Sequence, residues 1–164
     1  MVKLWGLACI IAGDMLLVGY FTDRKQKPVQ CLWEMMRFLR SVTCGVTEWK
    51  RTLKKAVLEE NQPGVFPKLF QRNFVKYQKE LPLRDALNKS LESLPLPPEA
   101  MEVISHYFDC MGKTTNKDTE EQFRFTRLRL EELLKSMQKE LPKAKKLITS
   151  GVYSISAMVA ILLF

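Results

Sequence analysis

The stretch from Thr119 to Leu141, TEEQFRFTRLRLEELLKSMQKEL, decides the fold class. Its apolar residues Phe123, Leu130, Leu134, Met137 and Leu141 recur mostly at steps of three and four, while Arg, Lys and Glu crowd the positions between them. An α-helix brings a side chain back to the same side every 3.6 residues, so this spacing lays one apolar seam along a long helix. A half-buried strand would alternate at every second residue, and the stretch does not.

The same period recurs upstream, between Pro, Gly and Asn breakers. Val29, Leu32, Trp33, Met36 and Leu39 stripe a helix over roughly 28–43. Thr47 reads as the N-cap of a second, carrying Trp49, Leu53, Ala56 and Val57 until Asn61-Gln62-Pro63-Gly64 ends it. Pro67 suits the first turn of a third, lined by Phe66, Leu69, Phe70, Phe74 and Tyr77. A short fourth with Ala86, Leu87 and Leu91 follows Pro82, and Pro95-Leu96-Pro97-Pro98 leads to a fifth with Met101, Ile104, Tyr107, Phe108 and Met111. The expected fold is all-α: an antiparallel bundle of about six helices over 22–146, flanked by N- and C-terminal transmembrane helices at 4–21 and 147–164.

The flanking helices follow from how charge is distributed over the 164 residues. Leu4–Phe21 contains one charge, Asp14, and Leu147–Phe164 contains none. The segment between them holds 25 of the 26 Lys/Arg and 17 of the 18 Asp/Glu, and therefore the whole net charge of +8. Each apolar run would reach roughly 27 Å as a helix, close to the ~30 Å of a bilayer's hydrocarbon. Trp5, Tyr20, Phe21, Tyr153 and Phe164 supply interfacial aromatics. A cleaved signal peptide is the rival for the first run, but Val18-Gly19-Tyr20-Phe21-Thr22-Asp23 places bulky aromatics where small residues are needed. Arg24, Lys25 and Lys27 after the first run, and Lys143, Lys145 and Lys146 before the second, put the middle segment on the cytoplasmic side.

Asp14 is the exception within the first run. A carboxylate at mid-span costs about 2.5–3.5 kcal/mol on insertion scales, so it is expected to face another helix. A contact within a membrane complex, a proton-handling role, and a protonated or snorkelling side chain all stay open. Small residues Gly6, Cys9 and Gly13 in one run, and Ser150, Ser154 and Ala157 in the other, suit close helix packing.

Chemistry-bearing constellations are sparse. Cys9, Cys31, Cys44 and Cys110 form no CxxC and read as free thiols of a reducing compartment, and His106 is the sole histidine, so no zinc site and no cofactor is expected. Met111-Gly112-Lys113-Thr114 contains the Gly-Lys-Thr of a phosphate loop, but Tyr107 stands where that motif needs its first glycine. No Ser/His/Asp or paired-carboxylate arrangement is evident, so catalytic residues are not expected. The excess of Lys and Arg admits a module that binds an anionic membrane surface. Nucleic acid is disfavoured, because both charge signs are interspersed and the aromatics lie on apolar stripes.

Met1–Gly6, Val42–Thr47, Met111-Gly112 with Asp118 and Gln122, and Ser150-Gly151 are four pieces that together resemble the stage III sporulation protein AB family of endospore-forming bacteria. Met1-Val2-Lys3-Leu4-Trp5-Gly6 is similar to that family's Met-x-Lys-Leu-x-Gly opening, and Val42-Thr43-Cys44-Gly45-Val46-Thr47 to its Tyr-Gly-x-Thr-Pro turn. Met111-Gly112 followed by Asp118 and Gln122 resembles its Leu-Gly…Asp-x-x-x-Gln, and Ser150-Gly151 its Ser-Leu-Gly before a leucine-rich tail. Departures are Cys44 for the Tyr, Glu48 for the Pro, Ser41 for an acidic residue, Arg124-Phe125 for a Lys-His, and two extra residues between Gly112 and Asp118.

The resemblance implies a helical domain like the cytoplasmic part of the type II secretion F protein, serving as a platform of the channel between mother cell and forespore. It also implies a companion ATPase, stage III sporulation protein AA, and other channel subunits as partners, and a place in the mother-cell-side forespore membrane. An F-like platform of another secretion or pilus system, and self-association of the chain, stay open. Gly112, Asp118 and Gln122, with the basic residues Arg124, Arg127 and Arg129, are the candidate partner contacts, against the alternative of a solvated charged face.

Overall fold

The structure, a computed structural model, describes residues 2–61, 63–111 and 116–163, and the side chains of 2–12, 116, 117, 159, 160, 162 and 163 lie outside that description. The described residues form six helices: α1 (Val2–Thr47), α2 (Leu53–Glu59), α3 (Val65–Tyr77), α4 (Leu83–Glu92), α5 (Pro98–Cys110) and α6 (Asn116–Leu163). They divide into two compact units, one of Met1–Lys27 with Ser136–Phe164 and one of Pro28–Lys135.

The ends differ from expectation. No separate terminal helices flank the bundle helices, because α1 runs for 46 residues through Pro28 and α6 for 48 through Pro142. The intervening polar residues, such as Lys25, Gln26, Lys143 and Lys145, are good helix formers, so nothing in them stops backbone hydrogen bonding. Among the described residues, no helix is long and apolar enough to cross a membrane.

The core of the Pro28–Lys135 unit starts from α1, where Cys31, Leu32, Met35, Phe38, Leu39 and Val42 are fully buried. That face is turned from the expected stripe: Trp33 is 49% exposed, and Met35 and Phe38 take the inward places. The aromatics then interlock. Phe70 of α3 meets Phe38 of α1 edge-on at 5.6 Å and stacks with Phe108 of α5 at 6.1 Å, and Tyr107 lies 5.9 Å from Phe123 of α6. Burying each such ring is worth roughly 1.5–3 kcal/mol, and buried aliphatic side chains such as Leu32, Leu91, Ile104 and Leu130 add to the same core. α3 packs on α4, α4 on α5 and α2 on α3.

The connections hold polar devices that periodicity does not reveal. Thr47 is the last residue of α1, not a cap, and Thr52 caps α2 by accepting from the Lys55 N–H. The Val42–Thr47 segment, expected as a turn, is helical, and Gly45 lets Ala56 of α2 approach so closely that a Cβ there would lie 3.2 Å from the alanine methyl. Gln71 donates to the carbonyls of Val57 and Glu60, satisfying the exposed end of α2. Glu34, buried on α1, accepts from the Phe66 N–H at 3.1 Å and so caps α3 from another helix.

Candidate partner-docking faces

The first turns of α6 carry most of the residues singled out from the sequence. Thr119, Thr126 and Leu130 are buried, and Phe123 reaches Tyr107, which sets the inward side of this helix. At about 100° per residue, Arg127 and Arg129 then point roughly 160° apart. The three arginines therefore do not share one basic face.

Arg127 belongs to a groove between α6 and α1 of about 180 Å³, lined by Trp33, Met36, Arg37 and Arg40 from α1 and by Phe123, Arg127 and Glu131 from α6. The Arg37 guanidinium stacks over the Trp33 ring at 4.8 Å, and Arg127 Nε donates to Glu131 Oε1 at 2.6 Å. Three guanidinium groups and one carboxylate around a half-exposed indole leave the groove positive with an apolar floor. Arg129 lines a different cavity of about 410 Å³, with Gln122 and Phe125 of α6 and Glu99, Glu102 and His106 of α5, where the charges are mixed. Arg124 lies over the Phe125 ring at 5.6 Å. Asp118 is exposed in the first turn of α6, where a carboxylate suits the helix dipole, and Gly112 falls outside the described residues with the rest of the Gly-Lys-Thr segment.

Sequence reasoning missed the α1 wall of the Arg127 groove. Trp33, Arg37 and Arg40 recur at four- and three-residue steps on one helix surface, but only knowing that α1 and α6 are neighbours brings them to Arg127.

In the other unit, Asp14 is 8% exposed, and Ser156 Oγ of α6 donates to its Oδ1 at 2.5 Å. Of the small residues expected to pack, Gly13 would touch nothing within 4 Å through an added Cβ and Ser150, Ser154 and Ala157 are exposed, while the side-chain surroundings of Gly6 and Cys9 lie outside the described residues.

Buried titratable groups serve the core. Burial, with a contribution from the Glu34 carboxylate, pushes the Cys31 thiol up to about 12. Burial also raises Tyr107 well above the ordinary phenol range, against a lowering by its hydrogen bond with Thr43. His106 is exposed, with Nε2 3.7 Å from the Cys110 sulfur one turn along α5. Among the described residues, no group of three or more His, Cys, Asp or Glu side chains could hold a metal ion.

Fold and surfaces together define a helical-bundle protein organised on two long helices, with its binding-sized concavities in grooves between helices. Within that class, the chain belongs to the stage III sporulation protein AB family, whose model matches residues 3–164. Membership makes it a sporulation protein. Comparison with curated proteins and with solved structures gave no match.

Proposed function

We propose that this chain is a non-enzymatic platform of the channel complex between mother cell and forespore. In this reading its terminal helical segments anchor it in a bilayer, and residues 28–135 lie on the cytoplasmic side. There they couple an ATPase like stage III sporulation protein AA to the membrane components. The carrying observation is the surface of the unit that holds both chain ends. Leu16 is 76% exposed, Met158 70% and Ile161 78%, with Met15, Leu147 and Ile155 similarly bare.

Apolar area costs about 25 cal/mol per Å² in water, and a hydrocarbon environment removes that cost. The full runs Leu4–Phe21 and Leu147–Phe164 have a bilayer's reach, and the one carboxylate in them is turned onto a serine of the other helix, as an intramembrane acid needs. The Trp33–Arg37–Arg40–Arg127 groove suits an acidic segment of a soluble partner such as the motor.

Two measurements test the reading. Retention in carbonate-washed membranes supports anchoring, and release of the intact chain overturns it. Co-purification of the ATPase with the wild-type chain, lost on reversing Arg37, Arg40 and Arg127 to Glu, supports coupling; undiminished capture by that variant removes the groove from it.

A further inference from the structure

Thr22, Lys25 and Gln26 of α1 and Leu141, Lys145 and Ile148 of α6 line a partly open cavity of about 60 Å³ within the unit that holds both chain ends. Its volume is several times the ~10–15 Å³ that a single water requires. Its walls are mainly apolar, from Leu141, Ile148 and the alkyl stems of Lys25, Gln26 and Lys145, and the last three residues are exposed, which leaves two ammonium groups and a primary amide free to gather at its rim. The Thr22 hydroxyl is buried with no hydrogen-bond partner among the described residues, an arrangement that costs free energy unless a ligand supplies one. The cavity also has a particular register: Thr22 directly follows Phe21, the last residue of one apolar run, and Lys145 lies two residues before Leu147, the first of the other.

We infer that this cavity is a binding site for the phosphate of an anionic phospholipid. Lys25 and Lys145 neutralise the phosphate, while the Thr22 hydroxyl and Gln26 amide donate to its oxygens. Leu141 and Ile148 border the glycerol end of the lipid. Arg24, Lys27, Lys143 and Lys146, all exposed, raise the local concentration of anionic lipid without lining the cavity. The apolar walls and the position beside both apolar runs favour a lipid phosphate over a free one. The inference rests on the anchoring proposed above.

The test uses the full chain reconstituted in vesicles of phosphatidylcholine with phosphatidylglycerol, then transferred to detergent for native mass spectrometry of retained lipid. Wild type retains phosphatidylglycerol in preference to phosphatidylcholine, and Lys25→Gln/Lys145→Gln lowers that retention by about tenfold. Lys27→Gln/Lys146→Gln, with the same charge loss outside the cavity, changes it far less. Equal losses in the two variants overturn the site in favour of a diffuse basic collar. No lipid preference from a chain that resists carbonate overturns the site alone, and a chain stripped by carbonate overturns the anchoring and the site together. Displacement of the lipid by millimolar inorganic phosphate overturns the lipid assignment.

Discussion

Thr43 of α1 accepts a hydrogen bond from the Tyr107 hydroxyl of α5 across 2.6 Å of buried core. The direction follows from proton counting, because the single Thr43 hydroxyl proton is committed to the Leu39 carbonyl at 2.6 Å. The two truncations are therefore unequal. Tyr107→Phe leaves a hydroxyl that still donates to its own helix, at about 1 kcal/mol. Thr43→Val strands a buried phenol O–H, at about 1–3 kcal/mol. Chemical denaturation of both variants is expected to place Thr43→Val below Tyr107→Phe, and the reverse order would show the tyrosine to be the acceptor.

Gly64 opens α3 where the chain passes Glu34. A Cβ there would stand 2.7 Å from Glu34 Oε2 and 3.0 Å from Pro67 Cδ. The carboxylate is held by the Phe66 N–H and by Gln30, whose Nε2 donates to its other oxygen at 2.8 Å, so moving it costs hydrogen bonds. Gly64→Ala is expected to destabilise by about 1–3 kcal/mol. Glu34→Gln in the same background offers a test of the cause: with the capping charge already gone, the alanine penalty measured by thermal unfolding should shrink.

The Cys31 thiol gives the fold an alkaline limit. Its folded value of about 12 stands above the ordinary 9.0, so the native state keeps a proton that the unfolded state gives up. Well below pH 9 both states are protonated and this group adds no pH dependence. As pH rises from 9 toward 12 it subtracts stability, with a limiting slope of about 1.4 kcal/mol per pH unit. Tyr107 acts in the same direction at higher pH. Urea midpoints at pH 8, 9 and 10 are expected to fall slightly over the first interval and more over the second, and less steeply in Cys31→Ala.

What the sequence made legible was local. α3, α4 and α5 could be read because Phe70/Phe74, Leu87/Leu91 and Ile104/Phe108 repeat within one helix and Pro or Gly punctuates their ends. The lengths of α1 and α6 could not, because an apolar run ends at the first polar residue whereas a helix ends only where backbone hydrogen bonding stops. Neither Lys25–Lys27 nor Lys143–Lys146 stops it. The inward face of α1 is offset from the stripe that apolar spacing predicts: Leu32 and Leu39 are buried as expected, but Trp33 joins Arg37 at the surface and Met35 and Phe38 fill the core. The density of Arg on the long helix points to Arg124, Arg127 and Arg129, but the groove around Arg127 exists only through its tertiary neighbour α1.

Lys50 sits after α1 at φ 49°, the left-handed region that L side chains enter at a cost of roughly 1–2 kcal/mol. The conformation is held from both sides, since Trp49 N–H reaches the Cys44 carbonyl and Arg51 N–H the Gly45 carbonyl, closing the end of the helix. Lys50→Gly removes the steric cost and adds backbone freedom to the unfolded chain. A net gain of a few tenths to about 1 kcal/mol is expected, read as a higher thermal midpoint. Lys50→Val, β-branched at the same φ, should move the midpoint the other way.

Asp14 and Ser156 join the two helices of the remaining unit by a short hydrogen bond, and the cost of its loss depends on which partner is removed. Ser156→Ala leaves a carboxylate that is 8% exposed without this donor. A buried acceptor stripped of its partner costs about 1–3 kcal/mol, more when charged. Asp14→Asn keeps an oxygen able to accept from Ser156 and removes the charge, so it is expected to be the milder change. Thermal unfolding of the full chain in detergent micelles, followed by far-UV circular dichroism, should rank Ser156→Ala below Asp14→Asn. In the double variant Asp14→Leu/Ser156→Ala, with both polar groups gone, most of the loss should be recovered, because neither side of the contact is left unsatisfied. A double variant weaker than Ser156→Ala would mean the carboxylate is held by something other than this serine.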